Sequence, residues 1–181
     1  METQGVTLYR GADGRGPAWS GDMNGRPWRR WIGREDHGDW ITGGIALYAW
    51  VVPPIAPHCR IAPEDTRIIC HSHGLQVVLY ACQLGLRVRS LVSIGSPVRA
   101  DMRAVSVAAR RNIGAWLHLH SDWSDRWQWL GAVGDGALGI QRRHPLADLN
   151  RALPGVGHSR ILTDPKAFGI WPEVVDWLRA A

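Results

Sequence analysis

Ser72 stands between two histidines in the run Cys70-His71-Ser72-His73-Gly74. A serine hydroxyl attacks a carbonyl when a base takes its proton, a carboxylate orients that base, and backbone N–H groups receive the charge that develops on oxygen. Small residues two before and two after the serine let a strand and a helix approach closely around the exposed hydroxyl. Gly74 meets the second requirement, and Cys70 replaces the usual glycine at the first. Downstream, His120-Ser-Asp-Trp-Ser-Asp-Arg-Trp127 offers Asp122 and Asp125, and Gly155-Val-Gly-His-Ser159 sets His158 in a glycine-rich loop. These candidates follow one another in the order serine, acid, histidine.

A second constellation points to other chemistry. His118-Leu-His-Ser-Asp122 has the H-x-H-x-D spacing of part of the zinc site of metallo-hydrolases, which continue with a histidine where this chain has Trp123. Zinc needs three or four ligands, and His71 with His73 is the only other close histidine pair. On a strand, His118 and His120 share one face simply by the period of two. The expectation is therefore serine chemistry with no metal or organic cofactor. A metal-dependent hydrolase using His118, His120 and Asp122 is the alternative.

These residues need elements to hold them. Thr66 to Cys70 reads as a short buried strand, Gly74 to Leu84 as a helix, and Val88 to Ile94 as a second strand ending at Gly95-Ser-Pro97. Asp101 to Ile113 reads as a helix with Asp101 as N-cap, followed by a strand from Gly114 to His120. Asp148 to Leu153 is a further short strand, and Trp171 to Ala180 a last helix with Pro172 in its first turn. Upstream, Val6 to Tyr9 and Ala18 to Ser20 are short strand candidates, and Trp40 to Val52 is a helix capped near Asp39. Strands alternating with helices in mostly apolar runs predict an α/β fold, a three-layer sandwich whose mostly parallel sheet carries helices on both faces.

From Thr66 to the C-terminus the chain resembles the α/β-hydrolase family, in particular its minimal, lidless esterases and lipases. His71-Ser-His-Gly74, Ser93-Ile-Gly-Ser-Pro97 and Gly155-Val-Gly-His158 carry the resemblance. It implies a triad of Ser72, Asp125 and His158 cleaving carboxylic esters through an acyl-enzyme. The family's acid is often followed by one residue and then an apolar side chain, which Asp125-Arg-Trp127 fits better than Asp122 does. The oxyanion donors implied are the backbone N–H of His73 and, in Arg10-Gly-Ala12 after the first strand, that of Gly11. His71, Trp123 and Trp127 are the expected pocket walls. The family's oxyanion loop, commonly His-Gly after an early strand, has no clear copy here. With Cys70 in place of glycine, this favours a non-catalytic, hydrolase-like binding protein as a third reading.

Composition sets the bounds. The 181 residues predict one domain, and 45% apolar with 20% charged residues excludes a disordered or collagen-like chain. The net charge of +5 invites an anionic partner, yet the arginines are scattered or at most paired, and Lys166 is the only lysine. This reads as an arginine-for-lysine bias of the genome, and no nucleic-acid partner is expected. Cys59, Cys70 and Cys82 have neither disulfide-framework nor zinc-ribbon spacing; Cys70 and Cys82 read as core residues. Met1 to Leu8 lacks a secretory pattern, and the apolar run from Gly44 to Pro57 is broken by Pro53 and Pro54, so the expectation is a cytoplasmic protein without a transmembrane segment. Eleven tryptophans stand against one phenylalanine, Phe168. Trp50 and Trp116 are expected to pack in the core.

Overall fold

The computed structural model describes residues 6–8, 37–52, 66–121, 143–157 and 169–180. In chain order the elements are β1 (Val6–Leu8), α1 (His37–Val51), β2 (Arg67–His71), α2 (Gly74–Gln83), β3 (Val88–Ile94), α3 (Arg103–Arg110), β4 (Ile113–Ser121), β5 (Leu149–Leu153) and α4 (Trp171–Ala180). The strands form one sheet in the order β1-β2-β3-β4-β5, and every neighbouring pair is parallel. The architecture is therefore α/β, as the alternation of strands and helices predicts. Among the described residues no helix is long and apolar enough to cross a membrane.

The central strands are apolar on both sides because both sides are covered. Ile68, Cys70, Leu91 and Trp116 pack with Trp40 and Leu47 of α1, with Leu75, Val78 and Leu79 of α2, and with Ala109 of α3. Their strand neighbours Ile69, Val92, Leu117 and Leu119 pack instead with Val174 and Leu178 of α4. This alternation is the period of two expected of strands. Arg67 at the start of β2 ties the sheet to α4, donating from Nε to the Leu178 carbonyl over 2.6 Å.

Helix α2 lies deepest, with Leu75 to Leu79, Ala81 and Cys82 all buried, Gln76 included. It ends in a paired cap: Leu86 N–H donates to the Ala81 carbonyl and Gly85 N–H to that of Cys82, both over 3.0 Å, with Gly85 at φ +111°. That left-handed position suits glycine, and Leu86 beyond it is fully buried. Helix α1 packs backbone-close on α2 through Gly44, where a Cβ would stand 2.6 Å from Tyr80 Cβ and 3.1 Å from the Val77 carbonyl oxygen.

Several boundaries differ from the sequence expectation. Helix α1 begins at His37, two residues before Asp39, and Thr42 Oγ1 donates to the Gly38 carbonyl. Asp101 is not the cap of α3. Met102 occupies that position, while the Asp101 carboxylate is bound in two places by Arg99, at 2.9 and 2.6 Å. The helix stops at Arg110, whose guanidinium donates to the carbonyls of Ile113 and Leu146 and to Asp148, and Ile113 starts β4. The strand candidate at Ala18 to Ser20 and the side chain of Trp50 lie outside the described residues. Trp116 is fully buried, as expected.

Candidate active site

Ser72 follows the last residue of β2 and precedes α2 by one residue. Its backbone has φ +53°, making it the one non-glycine residue with positive φ among the described residues. An L-residue there is strained by about 1–3 kcal/mol, and such strain persists only where the surroundings enforce it. Two sets of bonds do so. On the strand side, Ser72 N–H donates to the Ile94 carbonyl over 2.9 Å, extending the β2–β3 ladder by one residue. On the helix side, Leu75 N–H donates to the Ser72 carbonyl at 3.3 Å and Gln76 N–H to that of His73 at 3.0 Å. The chain changes from strand to helix within two residues, and Ser72 is the hinge.

The cysteine in place of glycine is accommodated. A Cβ built on Gly74 would lie 3.6 Å from Cys70 Cβ, an ordinary van der Waals contact. The side chain of Cys70 thus sits beside Gly74 without crowding it. Burial raises the pKa of the Cys70 thiol, with the Cys82 thiol adding to the rise, and burial pushes Cys82 up to about 12. Both thiols stay protonated at neutral pH, so neither competes with Ser72 as a nucleophile.

His73, the residue after Ser72, has helical φ −65° and ψ −8° and is the N-cap of α2, with no side-chain capping bond. Helix geometry leaves the first N–H groups of α2 without intrahelical acceptors, beside the turn that carries the hydroxyl. The His73 ring stacks on Trp40 of α1, with centroids 5.3 Å apart and planes at 28°. Arg99 lies over the same indole at 4.8 Å and is held by Asp101. Gln76, fully buried in α2, donates from Nε2 to the Pro97 carbonyl over 3.0 Å and anchors the segment after β3. No sequence pattern marks either contact, because both join residues that are distant in the chain and unremarkable alone.

The histidines of β4 are drawn into the sheet interior. In register, Cys70, Ser93 and His118 form one row across β2, β3 and β4. Ser93 Oγ lies 2.7 Å from His118 Nδ1 and accepts the indole N–H of Trp116 over 2.9 Å. The arrangement that leaves no hydroxyl proton unpartnered has Ser93 donating to His118 Nδ1. His118 is fully buried and that nitrogen is committed. His120 stacks on His118 with ring centroids 5.9 Å apart, as period two requires. His144 completes the group, 4.1 Å from Trp116 and 5.9 Å from His118 between centroids. Burial lowers its pKa to about 4, and its Nδ1 accepts the Leu146 N–H at 3.3 Å, so its ring is neutral at pH 7. His144 was missed by sequence reasoning because nothing in Arg142-Arg-His-Pro145 sets it apart. Among the described residues no group of three or more His, Cys, Asp or Glu side chains could hold a metal ion.

Asp122, Asp125, His158, Gly11, Trp123 and Trp127 lie outside the described residues. What is described is the frame from which their segments depart. All strands are parallel, so β2, β4 and β5 end at the same sheet edge, where parallel α/β proteins carry their ligands. Ser121 closes β4 opposite Leu153, the last residue of β5. After Leu153 the chain turns through Gly155, at φ +73°, and Val156 returns to the core, 2% exposed, one residue before Gly157. No family model, curated protein or solved structure matches the chain.

Proposed function

We propose that the chain is a serine hydrolase of the α/β-hydrolase type, a three-layer sandwich that cleaves carboxylic esters. The observation that carries this reading is the backbone of Ser72, a non-glycine residue at φ +53° between a parallel strand and the helix that follows it. Such a turn lifts a hydroxyl clear of the sheet and sets it beside a helix N-terminus. The order of the segments leaving the sheet edge adds support: Ser72 after β2, Asp122 and Asp125 after β4, and His158 after β5.

In the mechanism proposed, His158, oriented by Asp125, takes the proton of Ser72 Oγ as the oxygen attacks the ester carbonyl carbon. The carbonyl oxygen becomes an oxyanion held by the backbone N–H groups of His73 and Gly11. Collapse of this intermediate breaks the ester C–O bond, and His158 returns its proton to the departing alcohol. Water, deprotonated by His158, then attacks the acyl carbon and releases the acid and Ser72. His71, Trp123 and Trp127 wall the pocket, and the substrate is a small-molecule or lipid ester. Neither a metal nor an organic cofactor enters any step.

The test is hydrolysis of p-nitrophenyl esters by the whole chain and by Ser72→Ala, each with and without a chelator. The expected result is turnover that Ser72→Ala abolishes and the chelator leaves unchanged. Turnover that survives Ser72→Ala and collapses with the chelator contradicts the serine mechanism and supports the His118, His120 and Asp122 alternative.

A further inference from the structure

We propose that Trp40 is a positioning residue for the oxyanion donor at His73, an inference that rests on the serine-hydrolase reading of Ser72. The peptide N–H of His73 must sit within a few tenths of an ångström of its working position, because donor placement relative to the oxyanion decides its effect. Backbone bonds hold the turn on either side, from Ser72 N–H to Ile94 and from Gln76 N–H to the His73 carbonyl. The indole of Trp40, fully buried and stacked on the imidazole at 5.3 Å, adds a side-chain contact at His73 itself.

The helix packing explains how Trp40 comes to be there. Gly44 lets α1 meet α2 at Val77, Tyr80 and Ala81. One turn earlier on α1 is Trp40, and one turn before Val77 on α2 is His73. The two helices run in the same sense, and their close approach delivers the indole to the first turn of α2. Arg99 lies over the indole at 4.8 Å, and Asp101 grips its guanidinium, with the Arg99 side chain only 7% exposed. His73, Trp40, Arg99 and Asp101 thus form a continuous stack that runs from the residue after Ser72 to the segment after β3.

The experiment compares wild type, Trp40→Phe, Trp40→Leu, His73→Ala and the double variant Trp40→Leu/His73→Ala on a p-nitrophenyl ester, with Ser72 labelling by a fluorophosphonate in each. His73→Ala keeps the peptide N–H and removes the ring from a half-buried site, so it tests the stack even if Trp40→Leu fails to fold. Trp40→Leu and His73→Ala are expected to lower kcat by roughly tenfold to a hundredfold with KM little changed, the range for misplaced catalytic groups. Trp40→Phe, which keeps a stacking ring, is expected to recover most of kcat. The double variant is expected to lose no more than the worse single one, because both remove the same contact. Undiminished kcat in His73→Ala, or fully additive losses, overturns the positioning role while leaving the serine mechanism intact. No labelling of Ser72 in the folded wild type overturns the serine mechanism itself and the proposal with it.

Discussion

The backbone N–H of Ser72 donates to the Ile94 carbonyl over 2.9 Å although Ser72 has already turned to φ +53°. One residue thus completes the β2–β3 ladder and begins the reversal into α2. The ladder bond fixes where the turn starts, and the helix fixes where it ends. The positive φ is the consequence of joining the two without a longer loop.

This geometry predicts a stability signature. Glycine tolerates positive φ and alanine does not, so Ser72→Gly should be more stable than Ser72→Ala by roughly 0.5–1 kcal/mol. Urea denaturation of the two variants checks this, and a Ser72→Gly variant less stable than Ser72→Ala, by the entropy glycine adds to the unfolded chain, would mean that the turn carries no strain. Both variants should lose activity.

Close approach of backbones at glycine predicts a contrast between two positions. At Gly74 the added Cβ finds ordinary contact with Cys70 at 3.6 Å, so Gly74→Ala should change stability by less than about 1 kcal/mol. At Gly114 in β4 the Cβ would stand 2.5 Å from the backbone carbonyl oxygen of Arg89. Gly114→Ala should therefore cost roughly 1–3 kcal/mol, the range for forced overpacking. Thermal unfolding of the pair reads the difference.

His144 predicts a pH dependence. Its folded pKa, lowered to about 4 by burial, lies below the ordinary value of 6.5, so between these two pH values the unfolded chain holds a proton that the folded one does not. Its contribution to stability is fully present above pH 6.5, declines as the pH falls toward 4, and changes no further below that. The loss is on the order of 3 kcal/mol. Denaturation curves between pH 4 and 7.5 should slope accordingly, and His144→Phe, which keeps a ring against Trp116, should flatten the slope.

The fold was more legible than the site. Mostly apolar runs such as Thr66 to Cys70 and Val88 to Ile94 declare strands covered on both faces, and these strands stand within a residue of where the sequence put them. Helix ends were harder, because they depend on partners the local sequence does not name. Asp101 has the chemistry of an N-cap, but Arg99, two residues away, binds its carboxylate first. The strand-to-helix turn at Ser72 was legible because its parts are adjacent in the chain. The contacts of Trp40 with His73, and of Ser93 with His118 and Trp116, were not, since each joins separate elements that only the folded sheet brings together.

The two aspartates after β4 give a direct contrast. Asp125→Asn should lower kcat by as much as about 10⁴-fold, the loss seen when a triad carboxylate can no longer orient its histidine. Asp122→Asn should leave kcat within a few-fold of wild type. Steady-state kinetics of the two variants decides between them, and the reverse ranking would assign the acid to Asp122.

The central claim is that Ser72 is an activated nucleophile, and covalent labelling tests it most directly. Folded protein is treated with a fluorophosphonate at neutral pH, and the adduct is located by peptide mass spectrometry. The account predicts one phosphonate on Ser72, absent in Ser72→Ala and in heat-unfolded protein, and strongly slowed in a His158→Ala variant that lacks the base. Folded protein in which Ser72 stays unlabelled, or in which the label appears only on other residues, would contradict it.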